Sequence, residues 1–245
     1  MVRTGLALLA ALLATPLWAQ GPARPHTVVD AALILPTDRY DHAVLGDALE
    51  WAGLSITYKH CAQCQGLDLR KVTVTLPATR VFEDILARVV DADGDGRSEV
   101  LVVETDLRLG AALAVYDEQG RRAATPFIGQ RHRWLAPAGV GDFDGDGRPE
   151  IAYVDRPHLA RELVFVRLQG DRLIEIARAP GLTNHRIGDR FISAAVRTCD
   201  GIAEVILPDA AWARLVAARL DGTRIVTRDA GPFRGANSLS RATRC

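Results

Sequence analysis

The chain has 245 residues, of which 30 are basic and 30 are acidic, and 48% of its residues are hydrophobic. A chain of this length and apolar content can bury a large core within a single domain of a repeating kind. Its zero net charge argues against nucleic acid or an anionic membrane surface as the main partner.

Residues 1–19 contain a single arginine, Arg3, followed by an apolar stretch rich in leucine and alanine. This pattern is typical of a secretory signal peptide, and the stretch is too short and too weakly flanked to be a membrane-spanning helix. We therefore expect a signal peptide over residues 1–19 and one mature domain over residues 20–245. The expected location is periplasmic or secreted, with no membrane span.

Cys61 and Cys64 lie in the short segment HCAQC and have three interpretations. They could form a thioredoxin-like redox pair, half of a zinc site with His60, or a small loop disulfide. The redox motif needs a helix that follows a strand, and a zinc site needs further cysteine or histidine partners nearby; the sequence predicts neither. In an exported chain we expect the Cys61–Cys64 disulfide, with the other two as alternatives.

Two nine-residue segments share one acidic pattern, DADGDGRSE at Asp91–Glu99 and DFDGDGRPE at Asp142–Glu150. Each has aspartates at positions 1, 3 and 5, glycines at positions 4 and 6, and a glutamate at position 9, followed by an apolar run. Alternate side chains of a tight loop point toward one centre, and glycine lets the backbone adopt positive φ. Four converging carboxylates repel one another strongly unless a cation lies between them.

Oxygen-only ligands on a flexible loop suit Ca²⁺ better than Mg²⁺. An EF-hand is excluded because its loop is longer, ends in a glutamate at position 12 and joins two helices. The alternative is a pair of Asp/Gly turns without metal. We predict two Ca²⁺ sites, with these residues: Asp91, Asp93, Asp95, Arg97 and Glu99 in the first, and Asp142, Asp144, Asp146, Arg148 and Glu150 in the second.

Both segments resemble the FG-GAP repeat, an integrin-alpha-like or VCBS-type repeat with the signature D-x-D-G-D-G-x-x-D. They match that signature at every position but the last, where Glu99 and Glu150 replace the usual aspartate. The resemblance implies a β-propeller in which this loop joins the first two strands of a blade and binds calcium. It implies no particular ligand, because propellers have many unrelated functions.

The chain also repeats over longer distances. Glu99 and Glu150 are 51 residues apart, and Glu150 and Glu204 are 54 residues apart. Periods near 50 residues with about four strands each are typical of propeller blades. Four segments share the order strand, polar turn, strand, hairpin turn and strand, and three of them have a further leading strand. The segments begin at Ala31, Ser98, Pro149 and Ala203, and the leading strands are expected at residues 85–90, 135–140 and 191–196.

The first segment has no leading strand, whereas the tail at residues 235–245 reads as a strand without a segment behind it. We predict that the N- and C-terminal strands pair and close a small all-β propeller of four blades, because closure removes open sheet edges. The long interval at residues 59–84 could hold extra strands, so five blades is an alternative. A flat β-sandwich with two calcium loops is the rival fold.

The fourth repeat has VRTCDGIAE at residues 196–204, where Val196 and Thr198 replace two aspartates. We therefore expect that this segment does not bind Ca²⁺ in the same way. Cys199 lies in this segment and Cys245 ends the tail, so a Cys199–Cys245 disulfide between neighbouring blades would lock the ring. Four cysteines permit three pairings, and we predict the one that joins Cys199 to Cys245 and Cys61 to Cys64.

Candidate catalytic residues are sparse, since no nucleophile elbow, P-loop or dinucleotide fingerprint is present. The histidines have no ligand spacing to one another, although His132 and His185 precede equivalent leading strands and could face one end of the ring. We expect polar loop positions for both, with a shared end of the ring as the alternative. Three tryptophans are predicted to be packing residues and three aspartates to be turn formers. These two groups are Trp51, Trp134 and Trp212, and Asp106, Asp155 and Asp209.

We therefore expect an exported, monomeric, calcium-binding β-propeller that binds a protein or carbohydrate ligand or acts as a scaffold. The competing class is a periplasmic enzyme, a lyase or hydrolase that acts on carbohydrate at the central mouth of the ring. That class requires a cluster of acids, histidines or tyrosines there, which the sequence does not single out. A redox protein that uses Cys61 and Cys64 is a third class.

Overall fold

The structure, a computed structural model, describes residues 26–46, 48–61, 66 and 68–245. The predicted signal peptide at residues 1–19 lies outside these residues, and so does Cys64 of the predicted Cys61–Cys64 disulfide. The described part of the chain contains sixteen β-strands and one short α-helix, which confirms the all-β prediction. None of the helices in these ranges is long and apolar enough to cross a membrane.

The strands form four antiparallel units that follow one another along the chain. In chain order the elements are β1 (Thr27–Thr37), β2 (Glu50–Lys59), β3 (Leu69–Thr75), β4 (Arg80–Phe82), β5 (Arg88–Val90), β6 (Glu99–Asp106), β7 (Gly110–Asp117), β8 (Gly120–Ala124), β9 (Leu135–Gly141), β10 (Glu150–Asp155), β11 (Glu162–Gln169), β12 (Arg172–Pro180), β13 (Ala195–Cys199), β14 (Ile202–Pro208), β15 (Arg214–Asp221), β16 (Arg224–Pro232) and α1 (Ala236–Ala242). We name β1–β3 sheet I, β5–β8 sheet II, β9–β12 sheet III and β13–β16 sheet IV.

Strand β4 joins sheets I and II into one eight-stranded sheet. Phe82 of β4 lies opposite Trp51 of β2, and the same strand pairs with Glu104–Asp106 of β6. The interval at residues 59–84 therefore supplies β3 and β4 to these two sheets, and neither strand belongs to a fifth unit.

In sheets II, III and IV each strand pairs with the next one along the chain. The final hairpins turn between Asp117 and Gly120, Gln169 and Arg172, and Asp221 and Arg224, as the Gly-containing turn sequences predict. Each of these sheets begins with a leading strand, as predicted. The third, β13, begins at Ala195 and extends to Cys199, so it lies further along the chain than expected.

The central strands bury both faces, which explains their continuous apolar sequences. In β6, Val100 and Val102 pack toward sheet I, whereas Leu101 and Val103 pack toward sheet III. Strand β10 alternates in the same way between sheets II and IV. The four sheets therefore pack against one another in chain order, with an apolar cluster at each of the three junctions.

The predicted strand at the C terminus is wrong, because residues 236–242 form helix α1. Leu239 and Ala242, three positions apart on one helical face, pack against Ile206 and Leu215 on the outer face of sheet IV. Among the described strands β1 pairs only with β2. The N- and C-terminal strands consequently do not pair, and the predicted closure by strand pairing is not present.

The predicted Cys199–Cys245 disulfide is confirmed, with the two Cα atoms 5.8 Å apart. Its predicted role is wrong, because the bond does not join neighbouring sheets. It joins the end of β13 in sheet IV to the residues that follow α1, the helix that packs on the same sheet. The Arg197 guanidinium, which donates to the Ala242 carbonyl at 2.7 Å, adds a second link. The disulfide therefore holds helix α1 against sheet IV.

The segment that corresponds to an acidic loop in sheet IV is a two-residue turn. Val196, Thr198 and Cys199 belong to β13, and only Asp200 and Gly201 separate it from β14. Both turn residues have positive φ, 53° and 83°, as a type I′ hairpin requires. Without the aspartates at positions 1 and 3 the strand pairing continues to the turn.

Replacing both Cys199 and Cys245 by alanine should lower the free energy of unfolding by about 3 to 4 kcal/mol on the loop-entropy estimate for the 46-residue separation. Chemical denaturation monitored by circular dichroism measures this loss. Limited trypsin digestion should then cleave at Arg241 and Arg244 first, because the helix is no longer tethered. Ser240→Ala, an exposed change in the same helix, is the control, and equal stability of the double variant and the control would contradict the assigned role.

Candidate functional site

Acidic loop 1, Asp91–Glu99, is organised around the carboxylate of Asp91. This carboxylate accepts hydrogen bonds from the backbone N–H groups of Gly94 at 2.8 Å and Gly96 at 2.9 Å. Both glycines have positive φ, 79° and 81°, which a residue with a side chain rarely adopts. The Glu99 carboxylate closes the loop by accepting from the Ala92 N–H at 3.0 Å.

Acidic loop 2, Asp142–Glu150, has the same geometry. The Asp142 carboxylate accepts from the backbone N–H groups of Gly145 at 2.7 Å and Gly147 at 2.8 Å. Glu150 accepts from the Phe143 N–H at 2.9 Å. Two segments 51 residues apart therefore adopt the same loop conformation, which confirms that the repeated pattern specifies a repeated loop.

Three carboxylates converge in each loop. Ligand oxygens of Asp91, Asp93 and Glu99 lie within 4.8 Å of one another in loop 1. The corresponding group in loop 2 is Asp142, Asp144 and Asp146. No other group of three or more converging acids, histidines or cysteines occurs in the described ranges, sheet IV included.

The two predicted carboxylate ligands outside these groups, Asp95 and Glu150, also pair with arginines. Asp95 accepts from the Arg97 guanidinium at 3.2 Å, and Glu150 accepts from Arg167 of β11. Because a guanidinium cannot donate a lone pair, Arg97 and Arg148 can contribute to a metal only through the backbone carbonyl. The converging donors are all oxygens, which fits Ca²⁺.

The glutamates are the most buried acids of the two loops. Glu99 is 2% exposed and Glu150 is fully buried. Burial raises the pKa of Glu99 to about 7, and the negative charges of Asp93 and Asp95 act in the same direction. The Ala92 N–H and the Arg122 charge oppose this shift. A cation at this position would favour the ionised form.

A second group of titratable residues lies at the opposite end of the sheets, which we call the histidine end. His42, His132, His158 and His185 come from the β1–β2, β8–β9, β10–β11 and β12–β13 connections. The rings of His42 and His132 stack at 5.1 Å, and those of His158 and His185 lie 5.1 Å apart around Trp134. The structure thus gathers four of the six histidines.

The buried carboxylate of Glu83 orients His42. His42 Nδ1 lies 2.5 Å from Glu83 Oε1, and the Thr105 hydroxyl donates to Glu83 Oε2 at 2.7 Å. Burial lowers the pKa of His42 to about 4, helped by the Arg133 charge and opposed by Asp41. The neutral ring therefore donates from Nδ1 to Glu83 and keeps the lone pair on Nε2.

His158 and His185 form a hydrogen-bonded pair with defined tautomers. His185 Nε2 lies 2.9 Å from the Asp189 carbonyl, which can only accept, so Nε2 carries the proton. His185 Nδ1 then accepts from His158 Nε2 at 3.0 Å, and His158 Nδ1 keeps a lone pair. Burial lowers the pKa of both, to about 4 for His158.

The sequence anticipated only part of this cluster. Polar loop positions were expected for His132 and His185, with a common end of the ring as the alternative, and the structure places both residues in connections at the histidine end. His42 and His158 were missed because they come from connections with no repeated pattern around them. Trp134 is buried, which confirms packing, and Trp212 lies partly exposed beneath the Arg186 guanidinium at 4.2 Å.

The turn-former prediction is confirmed for two of the three aspartates. Asp106 accepts from the Arg108 N–H at 3.0 Å, and Asp209 accepts from the Ala213 N–H at 2.8 Å. Asp155 instead accepts from the Arg156 guanidinium at 2.9 Å.

Residues 91–153 match the family model described as the FG-GAP-like repeat. The match begins at the first residue of acidic loop 1 and ends within β10, so it contains both acidic loops. The chain therefore carries an FG-GAP-like repeat over these residues, as the loop pattern predicted. No curated protein matches the chain.

The stability that the neutral rings of His42 and His158 provide should be lost as the pH drops from 6.5 toward 4, whereas the raised pKa of Glu99 changes stability in the opposite direction, and this second effect cancels when the wild type is compared with a histidine variant. The unfolded histidines take up protons near pH 6.5, whereas the folded ones resist protonation until about pH 4 for His42 and His158. Each partly solvated ring should contribute about 1 to 2 kcal/mol to this loss. Urea unfolding at pH 7 and at pH 4.5 measures it. His158→Gln, which keeps a donor toward His185, should show a smaller loss, and an unchanged loss would contradict the assignment.

Proposed function

We propose that this chain is an exported, calcium-binding module of the β-propeller type, in which the four sheets are blades and exposed loops bind a protein or carbohydrate ligand. The observation that carries the proposal is the duplicated acidic loop, in which three carboxylates converge at the same corner of successive sheets. The FG-GAP-like repeat over residues 91–153 supports the same interpretation.

Charge and geometry support one Ca²⁺ ion in each loop. Loop 1 has four carboxylates, at positions 1, 3, 5 and 9, and the two guanidinium groups of Arg97 and Arg122 lie beside them. This leaves a formal charge of two negative units, which one divalent cation neutralises. The carboxylates are already held by backbone N–H groups, so little ordering is required when the ion binds.

An extracellular location is supported by the Cys199–Cys245 disulfide, because such bonds persist in oxidising compartments. The apolar N-terminal stretch supports export. Weak Ca²⁺ sites of the extracellular class, with dissociation constants of about 0.1 to 1 mM, would be occupied in that environment. The role of each ion would be to fix the loop and the strands that it joins.

Asp93→Ala and Asp144→Ala should each remove one Ca²⁺ ion, because each deletes a converging carboxylate. Isothermal titration calorimetry should give two ions for the wild type and one for each variant. Thr198→Ala, at the corresponding position of sheet IV, is the matched control and should keep both ions. EGTA should lower the melting temperature of the wild type, and Ca²⁺ should restore it. A melting temperature that responds to neither reagent would contradict the proposal.

The histidine end supports a second candidate function, a carbohydrate lyase or hydrolase. Such an enzyme needs an oriented base, and His42 has a buried carboxylate on Nδ1 and a lone pair on Nε2. This carboxylate–imidazole arrangement is the one that general bases use. Here the ligand would bind at the histidine end, opposite the acidic loops.

A panel of chromogenic glycosides and polyuronides tests this second candidate. Any turnover should fall by about 10²-fold or more in His42→Gln, the range expected when a general base is removed. His26→Gln, outside the cluster, is the control. Activity that survives in His42→Gln would exclude His42 as the base, and absence of turnover across the panel would favour the binding module.

A further inference from the structure

An arginine from a later strand of the same sheet enters each acidic loop. Arg122 of β8 donates to Asp93 at 2.5 Å and to Glu99 at 2.8 Å. Its side chain is only 7% exposed, and these two carboxylates are the partners that a buried arginine needs. The positive charge of Arg122 therefore lies among the carboxylates of loop 1, next to two predicted ligands of the ion.

Loop 2 has the same arrangement with an arginine from a different strand. Arg167 of β11 donates to Asp144 at 2.9 Å and to Asp146 at 2.8 Å, and it also contacts Glu150. Arg122 belongs to the fourth strand of its sheet and Arg167 to the third. The two guanidinium groups thus occupy the same place in the two loops, although they come from strands that differ in their order within the sheet.

Sheet IV keeps the arginine pairing although its acidic loop is lost. Glu204, at the position of Glu99 and Glu150, accepts from Arg197 at 2.8 Å and from Arg228 at 2.5 Å. A buried glutamate paired with arginine is therefore common to three sheets, whether or not a carboxylate cluster accompanies it. The pairing does not depend on an ion.

We propose that Arg122 and Arg167 are built-in counter-cations, which hold the acidic loops in shape without Ca²⁺ and compete with the ion for the same carboxylates. This inference rests on the proposed function. A divalent ion bound to Asp93 and Glu99 would lie close to the Arg122 charge, and like charges at such distances repel strongly in a partly buried site. The arginines thereby set the Ca²⁺ affinity low and keep the ion-free protein folded.

The variants Arg122→Gln and Arg167→Gln test the inference. Each removes one positive charge, so Ca²⁺ affinity at the altered loop should rise about tenfold or more in calorimetry. The melting temperature in EGTA should fall, because a buried glutamate loses its partner. The increase in melting temperature on adding Ca²⁺ should therefore be larger than in the wild type. Arg122→Lys keeps the charge and should bind Ca²⁺ with the affinity of the wild type. It is the second variant to measure if Arg122→Gln does not fold.

Arg121→Gln is the matched control. Arg121 precedes Arg122 in β8 and pairs with the buried Glu104 at 3.0 Å, away from the loop. Its loss should lower the melting temperature without changing the Ca²⁺ affinity. A similar gain in affinity in this control would contradict a local effect of Arg122.

The outcomes separate this inference from the proposed function. Equal Ca²⁺ affinity in the wild type and Arg122→Gln, or weaker binding in the variant, would overturn the competition and leave calcium binding intact. Binding by the variant alone would overturn calcium binding by the natural chain and support the competition. Absence of binding in both proteins would overturn both.

Discussion

The interaction on which the other features depend is a buried glutamate–arginine pair at one corner of three successive sheets. Glu99, Glu150 and Glu204 each begin or nearly begin the strand that buries both faces. A carboxylate at such a position must be paired, since an unpaired buried charge costs several kcal/mol. The pair therefore fixes where the connecting loop ends and the buried strand begins. The acidic loops add further carboxylates around this fixed point.

Sequential packing explains why helix α1 lies on sheet IV. Sheet III has a neighbour on both faces, whereas the outer face of sheet IV presents Ile206, Leu215 and Ala217, which need cover. Helix α1 supplies it, and the Cys199–Cys245 disulfide keeps the helix in place. A short helix of seven residues is marginal alone, so its stability comes from this packing and from the covalent link.

Local features were predictable from the sequence, and contacts between distant residues were not. The acidic loops follow from glycines and aspartates at fixed spacing, and the hairpins from Gly-containing turns. The Cys199–Cys245 pairing was predicted for a wrong reason, since the tail was expected to be a strand. Helix α1 was missed because its helical spacing spans only two turns and competes with a strand-like pattern. The partners Arg122, Arg167 and His42 are 17 to 41 residues from the carboxylates that they contact, and arginine is too frequent here for such pairs to be singled out.

The acidic loops also lie at the junctions between sheets, so their charge balance affects more than the loops. Arg122 Nε donates to the Gly170 carbonyl in the last hairpin of sheet III, and a Cβ atom at Gly94 would lie 2.8 Å from Pro149 of loop 2. In loop 2, the carbonyls of Asp142 and Phe143 accept from backbone N–H groups of sheet IV at 2.9 and 3.0 Å. A cation that tightens either loop therefore acts on the contact with the next sheet.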